Sequence, residues 1–360
     1  MTSPLLITNL TNLRYLTGIS MTAGIMLLRG KKRLLFADSR YTEKAKKEAK
    51  QGIRVLPADA LKEHMKKLRR VRFEAEDITV ARLARWKKNF RGTKFIPSSN
   101  IIENMRRSKK PEEIRAIRKA CRITDRVMKE IPKLLWHGLK PMPPTEKSLA
   151  WHIEKLSHEL GADCMAFETI VAFGSNTSRP HHRPTAKKLQ KGDIVQIDMG
   201  VKVHGYCSDC SRVFFTGMPT EEQQQVFDLL KKIAKETTRM AKAGVSNRTL
   251  DTWARNTLKK TLIPTLLVHR SLGEGGTRTQ TLDVFFLHSL GHGVGLEIHE
   301  GINLTSKNVG APQRGALRRN EVITIEPGIY FAEKWGMRIE DTVLVTRKVG
   351  KALTRAKIQE

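Results

Sequence analysis

HSLGHGVGLEIHE, residues 288–300, supplies the imidazole His292, and the carboxylates on either side of it decide how the chain is read. Upstream, IDMG and YCSDCSR supply Asp198 and Asp209; downstream, ITIEPGIY and MRIEDTV supply Glu326 and Glu340. Four hard carboxylates and one imidazole are what two small divalent ions held close together require. A carboxylate can give one oxygen to each ion, and the imidazole can cap one of them. Two ions about 3.5–4 Å apart can share and acidify a water for hydrolysis. The set predicts a dinuclear metallohydrolase.

The spacing makes this more than a collection of acids. DIVQIDMGVKVHGYCSDCSRVFFTG (193–217) alternates apolar and polar residues around a turn near His204–Gly205, which reads as two antiparallel strands. Asp198 then ends the first strand and Asp209 lies in the second. EVITIEPGIYFAEKWGMRIEDTVLVT (321–346) repeats the arrangement, Glu326 leaving one strand and Glu340 entering the next. Pro327-Gly328 marks a break where a side chain must be aimed rather than packed. Taken singly, each acid reads as an ordinary solvated group. The joint pattern overturns that.

These residues resemble the pita-bread metallopeptidases, in particular the branch containing proline dipeptidase and Xaa-Pro aminopeptidase. The similarity runs from LTNLRYLTGIS (10–20) through LLFADSRYTEKA (34–45) to RIEDTVLVT (338–346), nearly the whole chain. It implies an α+β fold: a pita-bread (creatinase/aminopeptidase) catalytic domain at 108–360, preceded by a smaller α/β creatinase-type domain at 1–107. It puts the five metal ligands on Asp198, Asp209, His292, Glu326 and Glu340, and three active-site histidines on His181, His288 and His299. Arg338 matches an arginine that supports a bridging acid. By analogy Asp198 holds one ion and His292 with Glu326 the other, while Asp209 and Glu340 bridge. The resemblance also implies a homodimer, and short peptides with proline in second position as substrates.

Roles follow from that assignment and from chemistry. A shared hydroxide attacks the Xaa-Pro bond, and Glu326 accepts the proton of its parent water. His181 and His299 stabilise the oxyanion and protonate the leaving nitrogen, which matters for an imide nitrogen such as proline's. His288 positions substrate, and Arg338 supports the acids. Each histidine has a plainer reading as a surface or structural group, and for His182 the plainer one is preferred. The oxygen-rich donor set suits manganese first, with cobalt, iron or zinc as alternatives. Three features depart from the family pattern. Ile302 stands where a proline is usual after the His-Glu pair, an insertion spans roughly 264–283, and LRRNEVITIEPG replaces a Gly-Met approach to the last hairpin.

Composition agrees with two domains in 360 residues. No apolar run approaches bilayer length, and the first residues lack the pattern of a secretory leader, so a cytoplasmic protein without membrane contact is expected. Four cysteines form no disulfide framework, and Cys207 and Cys210 bracket Asp209 as packing neighbours rather than as a redox pair. A composition change near IPSSNIIENMRRSKKPEE (96–113) separates βα alternation, with a helix from about Thr42, from a helix capped by Ser108. Thr145 and Thr220 cap later helices, a further helix ends near Leu262, and His288 falls on a strand. The Pro-rich joint at 141–144 links two of these helices, and Arg314, Arg318 or Arg319 could read a substrate carboxylate.

The net charge is +30. Such a charge can mean nucleic-acid or ribosome binding. The basic runs (KKRLL, HMKKLRR, RWKK, NMRRSKK, KKLQK) are scattered and lack interleaved aromatics, so a solvated basic surface is favoured. Two alternatives to proline-directed hydrolysis stand beside it. One is a catalytically weak pita-bread protein binding RNA or ribosome through its basic surface. The other is an exopeptidase of the methionine aminopeptidase type, against which the amino-terminal 105 or so residues and the DSRY segment argue.

Overall fold

The computed structural model describes residues 3–138, 143–270, 285–307 and 315–358. The chain divides into Met1–Arg106 and Arg107–Glu360. In the first unit short apolar strands alternate with helices: β1 (Leu5–Ile7), α1 (Leu10–Thr17), β2 (Gly24–Arg29), β3 (Lys32–Ala37), α2 (Ser39–Glu48), β4 (Ile53–Pro57), α3 (Leu61–Lys66), β5 (Arg70–Glu74), α4 (Val80–Asn89), β6 (Lys94–Ser98) and α5 (Ile101–Arg107). They form one six-stranded sheet in the order β4-β3-β2-β1-β5-β6. Leu6, Leu27, Phe36, Val71 and Phe73 of the strands pack with Met65 and Trp86 of the helices. The helix expected from Thr42 begins at Ser39, because the Asp38 carboxylate accepts the Arg40 N–H at 3.0 Å and caps it.

The second unit opens with α6 (Pro111–Lys133), closed by a π-turn at Leu134–Gly138, and α7 (Glu146–Glu159). Ser108 does not cap α6. Lys110 does, because the Glu113 carboxylate reaches back to its N–H at 2.7 Å. Thr145 caps α7 reciprocally with Ser148, at 3.1 and 2.9 Å. Strands β7 (Cys164–Met165), β8 (Ile170–Phe173), β9 (Ile194–Met199), β10 (Val201–Val203), β11 (Tyr206–Cys207) and β12 (Cys210–Phe215) follow. Then come α8 (Glu221–Met240), α9 (Asn247–Arg270), β13 (Gly291–His292), β14 (Asn303–Leu304), β15 (Val322–Ile325), β16 (Gly328–Phe331), β17 (Trp335–Arg338), β18 (Glu340–Val345) and β19 (Gly350–Ala352). Helix α9 runs on to Arg270, past the expected end near Leu262 and through Pro264. The rest of the insertion, from 271, lies outside the described residues, as do 141–142 and Arg314.

The main sheet runs β15-β18-β12-β9-β8, and β19 also pairs with β18. Both expected hairpins are present, and each turns out of this sheet partway along. The first leaves after Met199 and continues as β10–β11, in a three-stranded sheet with β7; the second leaves after Ile325 and continues as the two-stranded β16–β17. Gly200 permits the first bend, since a Cβ there would strike the Ser208 carbonyl. Asp209 therefore falls at the bend between β11 and β12 rather than within a strand. The two ribbons meet where β12 pairs with β18, Ser211 opposite Glu340.

Alternation sorts the strand residues between two cores. Ile194, Val213, Ile323 and Val343 pack against α8 and α9, while Val195, Ile197 and Phe214 pack against α6 and α7. Truncating one such buried aromatic, Phe227 of α8 for example, costs about 3–5 kcal/mol. This double-sided packing holds the sheet from which both hairpins bend.

Candidate active site and metal centre

The nine residues expected as metal ligands or catalytic groups all line one cavity of about 600 Å³. Asp198 is next to last in β9, Asp209 and Glu326 occupy bends, Glu340 begins β18, and His292 ends β13. Asp198, Asp209, His292 and Glu340 are buried, and the Glu326 side chain is 15% exposed. His292 Nε2 lies 3.5 Å from Asp209 Oδ2 and 3.5 Å from Glu326 Oε1. Ligand atoms of Asp209, His292 and Glu340 all fall within 4.8 Å of one another.

The electrostatics of this cluster call for cations. Burial, and then Glu340, Asp198 and Glu326 in turn, push Asp209 well above the carboxylate range. Burial, then Asp198 and Glu326, push Glu340 well up, and burial lifts Glu326 to about 8. Asp198 Oδ1 is buried with no hydrogen-bond partner. Burial, followed by His299, lowers His292 to about 3, leaving its imidazole neutral. Its Nδ1 lies 3.2 Å from the Gly293 carbonyl, which assigns the proton to Nδ1 and turns the Nε2 lone pair toward the carboxylates. Hard oxygens with an orphaned lone pair and one neutral imidazole are a donor set that divalent ions fit.

The glycines of the HSLGHGVGLEIHE run serve close approach. A Cβ on Gly291 would strike the Thr324 carbonyl, so only glycine lets His292 lie against β15. Thr324 also accepts the His292 N–H at 3.0 Å and donates to Glu326 at 3.3 Å. His288 precedes β13 in a loop, not in a strand. Burial, followed by the Arg338 charge, lowers His288 to about 3. Its Nδ1 lies 2.7 Å from the Ser289 carbonyl and its Nε2 3.0 Å from the Tyr330 hydroxyl. His299 packs edge-on against His292, ring centres 4.1 Å apart. The His299 loop is pinned by Glu300, whose carboxylate accepts the Leu296 N–H at 3.0 Å and meets Lys109 Nζ at 2.9 Å.

Arg338 bonds directly to Asp198 Oδ2 at 2.5 Å, rather than to an acid in the expected bridging position. It reaches Glu340 through Ser211, donating at 2.9 Å to a hydroxyl that donates to Glu340 at 2.7 Å. It also donates to Tyr330 at 2.7 Å. Tyr330 was not expected at the site. Its signal is the period-two pattern of β16, which sends Ile329 and Phe331 into the core and Tyr330 to the other face. Glu146 was missed as well, and nothing marks it in sequence beyond an acid in the first turn of a helix. It is fully buried and accepts from Phe173 N–H at 2.8 Å, Asn176 at 2.8 Å and Thr185 N–H at 2.8 Å. It also meets His182 Nε2 at 2.9 Å. His182 is thus a buried structural group, while the neighbouring His181 is exposed in the cavity. Arg318 and Arg319 are exposed and do not line the cavity.

A bent double-hairpin sheet cupping four acids and an imidazole defines a metallopeptidase centre, and the comparisons agree. The Metallopeptidase family M24 model matches residues 115–347, and the Creatinase/Prolidase N-terminal domain model matches 3–108. The chain belongs to family M24 and has the pita-bread catalytic fold behind a creatinase-type amino-terminal domain. More particularly, it is 32% identical over 347 residues to a Xaa-Pro dipeptidase of Pyrococcus horikoshii, covering 96% of this chain and 90% of that protein. A prolidase structure from Pyrococcus furiosus superposes with a TM-score of 0.83 at 29% identity, over 99% of this chain and 97% of that one. An X-Pro aminopeptidase structure from Thermotoga maritima gives 0.82 at 31%, over 99% and 96%.

Proposed function

We propose that the chain hydrolyses the Xaa-Pro bond at the amino end of dipeptides or short peptides, with catalysis in 108–360 and 1–107 as a separate α/β domain. The observation that carries the reading is the convergence of four carboxylates and a neutral imidazole on one cavity, with carboxylate oxygens that meet no cation among the described residues except Arg338. The activities of these relatives support the proline direction. Asp198, Asp209, His292, Glu326 and Glu340 would hold two divalent ions, manganese first among the candidates. When bound, such ions supply Lewis-acid polarisation of a carbonyl and an acidified water.

The chain's own groups do the rest. Glu326, lifted by burial, is suited to take up a proton at the cavity wall. His299, which burial holds below the ordinary imidazole value, and His181 deliver a proton to the leaving nitrogen and donate to the developing oxyanion. His288, fixed between Ser289 and Tyr330, orients substrate. Arg338 holds Asp198 in place and fixes Glu340 through Ser211. We place the protein in the cytoplasm, a reading supported by four unpaired thiols, Cys164 among them exposed. No described helix is long and apolar enough to cross a membrane.

The test is hydrolysis of Leu-Pro and of Arg-Pro-Pro by metal-stripped protein, with and without added manganese. Manganese-dependent cleavage of the dipeptide alone identifies a dipeptidase; cleavage of the tripeptide identifies an aminopeptidase. Metal-loaded protein silent on both would refute proline specificity.

A further inference from the structure

The outward face of α6 carries a charge pattern that hydrolysis does not use. One side of this helix is spent on the core: Ala116, Ile117, Ala120, Ile123, Val127 and Ile131 are buried. On the other, Arg115, Arg118, Lys119, Arg122, Arg126 and Lys129 are all exposed. At 3.6 residues per turn these six fall in a sector roughly 100° wide, and they line about 21 Å of the helix. Among the described residues none of them makes an ion pair.

The acids of the helix are otherwise engaged. Glu113 accepts from Lys110 N–H and the Tyr206 hydroxyl, Asp125 from the Arg355 and Ala356 N–H groups, and Glu130 pairs with Lys133. Only Glu112, in the first turn, is left on the outer side. The contact with Asp125 brings a further exposed cation, Arg355, next to the helix. An uncompensated cation row on a rigid helix repels itself and is complemented by a regular polyanion.

Two indoles narrow the polyanion. The stripe ends on Trp136, 37% exposed in the π-turn after α6, and α7, which packs against α6, presents Trp151 at 63% exposure. Exposed indoles on the elements that adjoin a cation track are what a strand with unstacked bases uses, phosphates on the cations and bases on the rings. A duplex keeps its base faces stacked inside, and an acidic peptide has no bases to stack. We propose that this face of α6, with Trp136 and Trp151, is a binding surface for single-stranded nucleic acid. It is independent of the hydrolytic reading.

The test uses the full chain and a labelled oligouridylate of about 20 nucleotides, with anisotropy followed between about 50 and 200 mM salt. Arg118, Arg122, Arg126 and Lys129 would be replaced together by alanine, a strong helix former, so that the helix is kept, as an unchanged circular dichroism spectrum would check. The expected result is affinity at least about tenfold lower and a log K against log salt slope shallower by about 3, since each cation lost removes about 0.7. The control replaces four exposed cations of α2, Arg40, Lys44, Lys46 and Lys47, and should bind within about twofold of the parent, its contribution being only the long-range field. Saturating oligonucleotide should quench tryptophan fluorescence, and less so in Trp151→Phe. The proposal fails if the parent does not bind at the lowest salt, or if both quadruple variants lose equally. It also fails if a duplex of the same length, or polyglutamate of equal charge, binds as tightly.

Discussion

A carboxylate withdrawn from water must find a cation, find hydrogen-bond donors, or take up a proton. Two acids of this chain take different exits. Asp209 has the carboxylates Glu340, Asp198 and Glu326 for neighbours and is pushed up. Asp209→Asn keeps the shape but loses a charged oxygen, so we expect turnover at least about 100-fold lower with reduced metal content and an unchanged circular dichroism spectrum. Turnover near the parent's would refute the dinuclear reading. His299→Ala should slow turnover by about 10²–10⁴-fold while metal content, read by elemental analysis, stays full; a loss of metal in step with rate would make His299 a ligand instead. Glu146 takes the other exit. Burial alone would raise it, but hydrogen bonds from Thr185, Asn176, His182 and Phe173 outweigh burial and hold it below 4.5. A carboxyl whose folded value is depressed stabilises the protein above its unfolded value and loses that contribution as pH falls through the folded one. Glu146→Gln should therefore cost about 3 kcal/mol at neutral pH, and the gap in melting temperature from the parent should narrow as the pH drops below 4.5. A gap that stays constant on acidification would show that shape, not charge, is what Glu146 contributes.

At the scale of elements, the metal-type residues were legible because a ligand set must appear as Asp, Glu and His at strand ends, and alternation with Pro327-Gly328 marked those ends. What alternation cannot show is a strand leaving its sheet while staying extended. Residues 201–207 alternate as well as 194–199 do, so the bend at Gly200, and with it the place of Asp209, follows only from the Ser208 carbonyl lying over the glycine. The caps divide similarly. Thr145 and Thr220 bond back as their residue types predict, whereas α6 is capped at Lys110 because the long Glu113 side chain reaches back to it, and Ser108, the better capping residue type, is passed over. Partners distant in sequence were invisible: Arg338 finds Asp198 140 positions away, and Lys109, just before α6, finds Glu300, just after His299. That last pair carries a prediction. Both side chains are nearly inaccessible, 2% and 5% exposed, and Glu300 holds the loop that bears His299. Glu300→Gln leaves Lys109 as a buried unpaired charge, for which about 3–5 kcal/mol of destabilisation is expected. Lys109→Met together with Glu300→Gln should recover most of the loss, as urea unfolding of the four proteins would measure. If the double variant is as unstable as the sum of the singles, the charges are not coupled.

For the whole molecule the charge of +30 is the dominant fact, and it was visible in composition while its arrangement was not. The conspicuous runs, such as HMKKLRR and NMRRSKK, draw attention because their cations are adjacent in sequence. On a helix, adjacency scatters charges around the barrel, and the row on α6 comes instead from a three- and four-residue spacing that leaves no run to notice. Exposed Trp136 and Trp151 likewise stand apart from every basic run, so a reading of the runs alone leaves them out. So large an excess of one sign has a thermodynamic consequence of its own. Cations that outnumber their partners repel one another in the folded chain more than in the expanded one, and the repulsion reaches as far as screening allows, about 30 Å at 0.01 M salt and about 8 Å at 0.15 M. The metal-free protein should therefore melt at a higher temperature as sodium chloride is raised from about 0.01 to about 0.15 M, with the gain flattening once the Debye length drops below the spacing of neighbouring surface charges. Alanine at Arg118, Arg122, Arg126 and Lys129 relieves part of that repulsion, so the variant should melt higher than the parent at low salt and no higher at high salt. A parent whose melting temperature falls as salt is added would mean that attractive pairs such as Arg107–Glu321 and Arg212–Asp341, not the excess cations, govern the electrostatics of the fold.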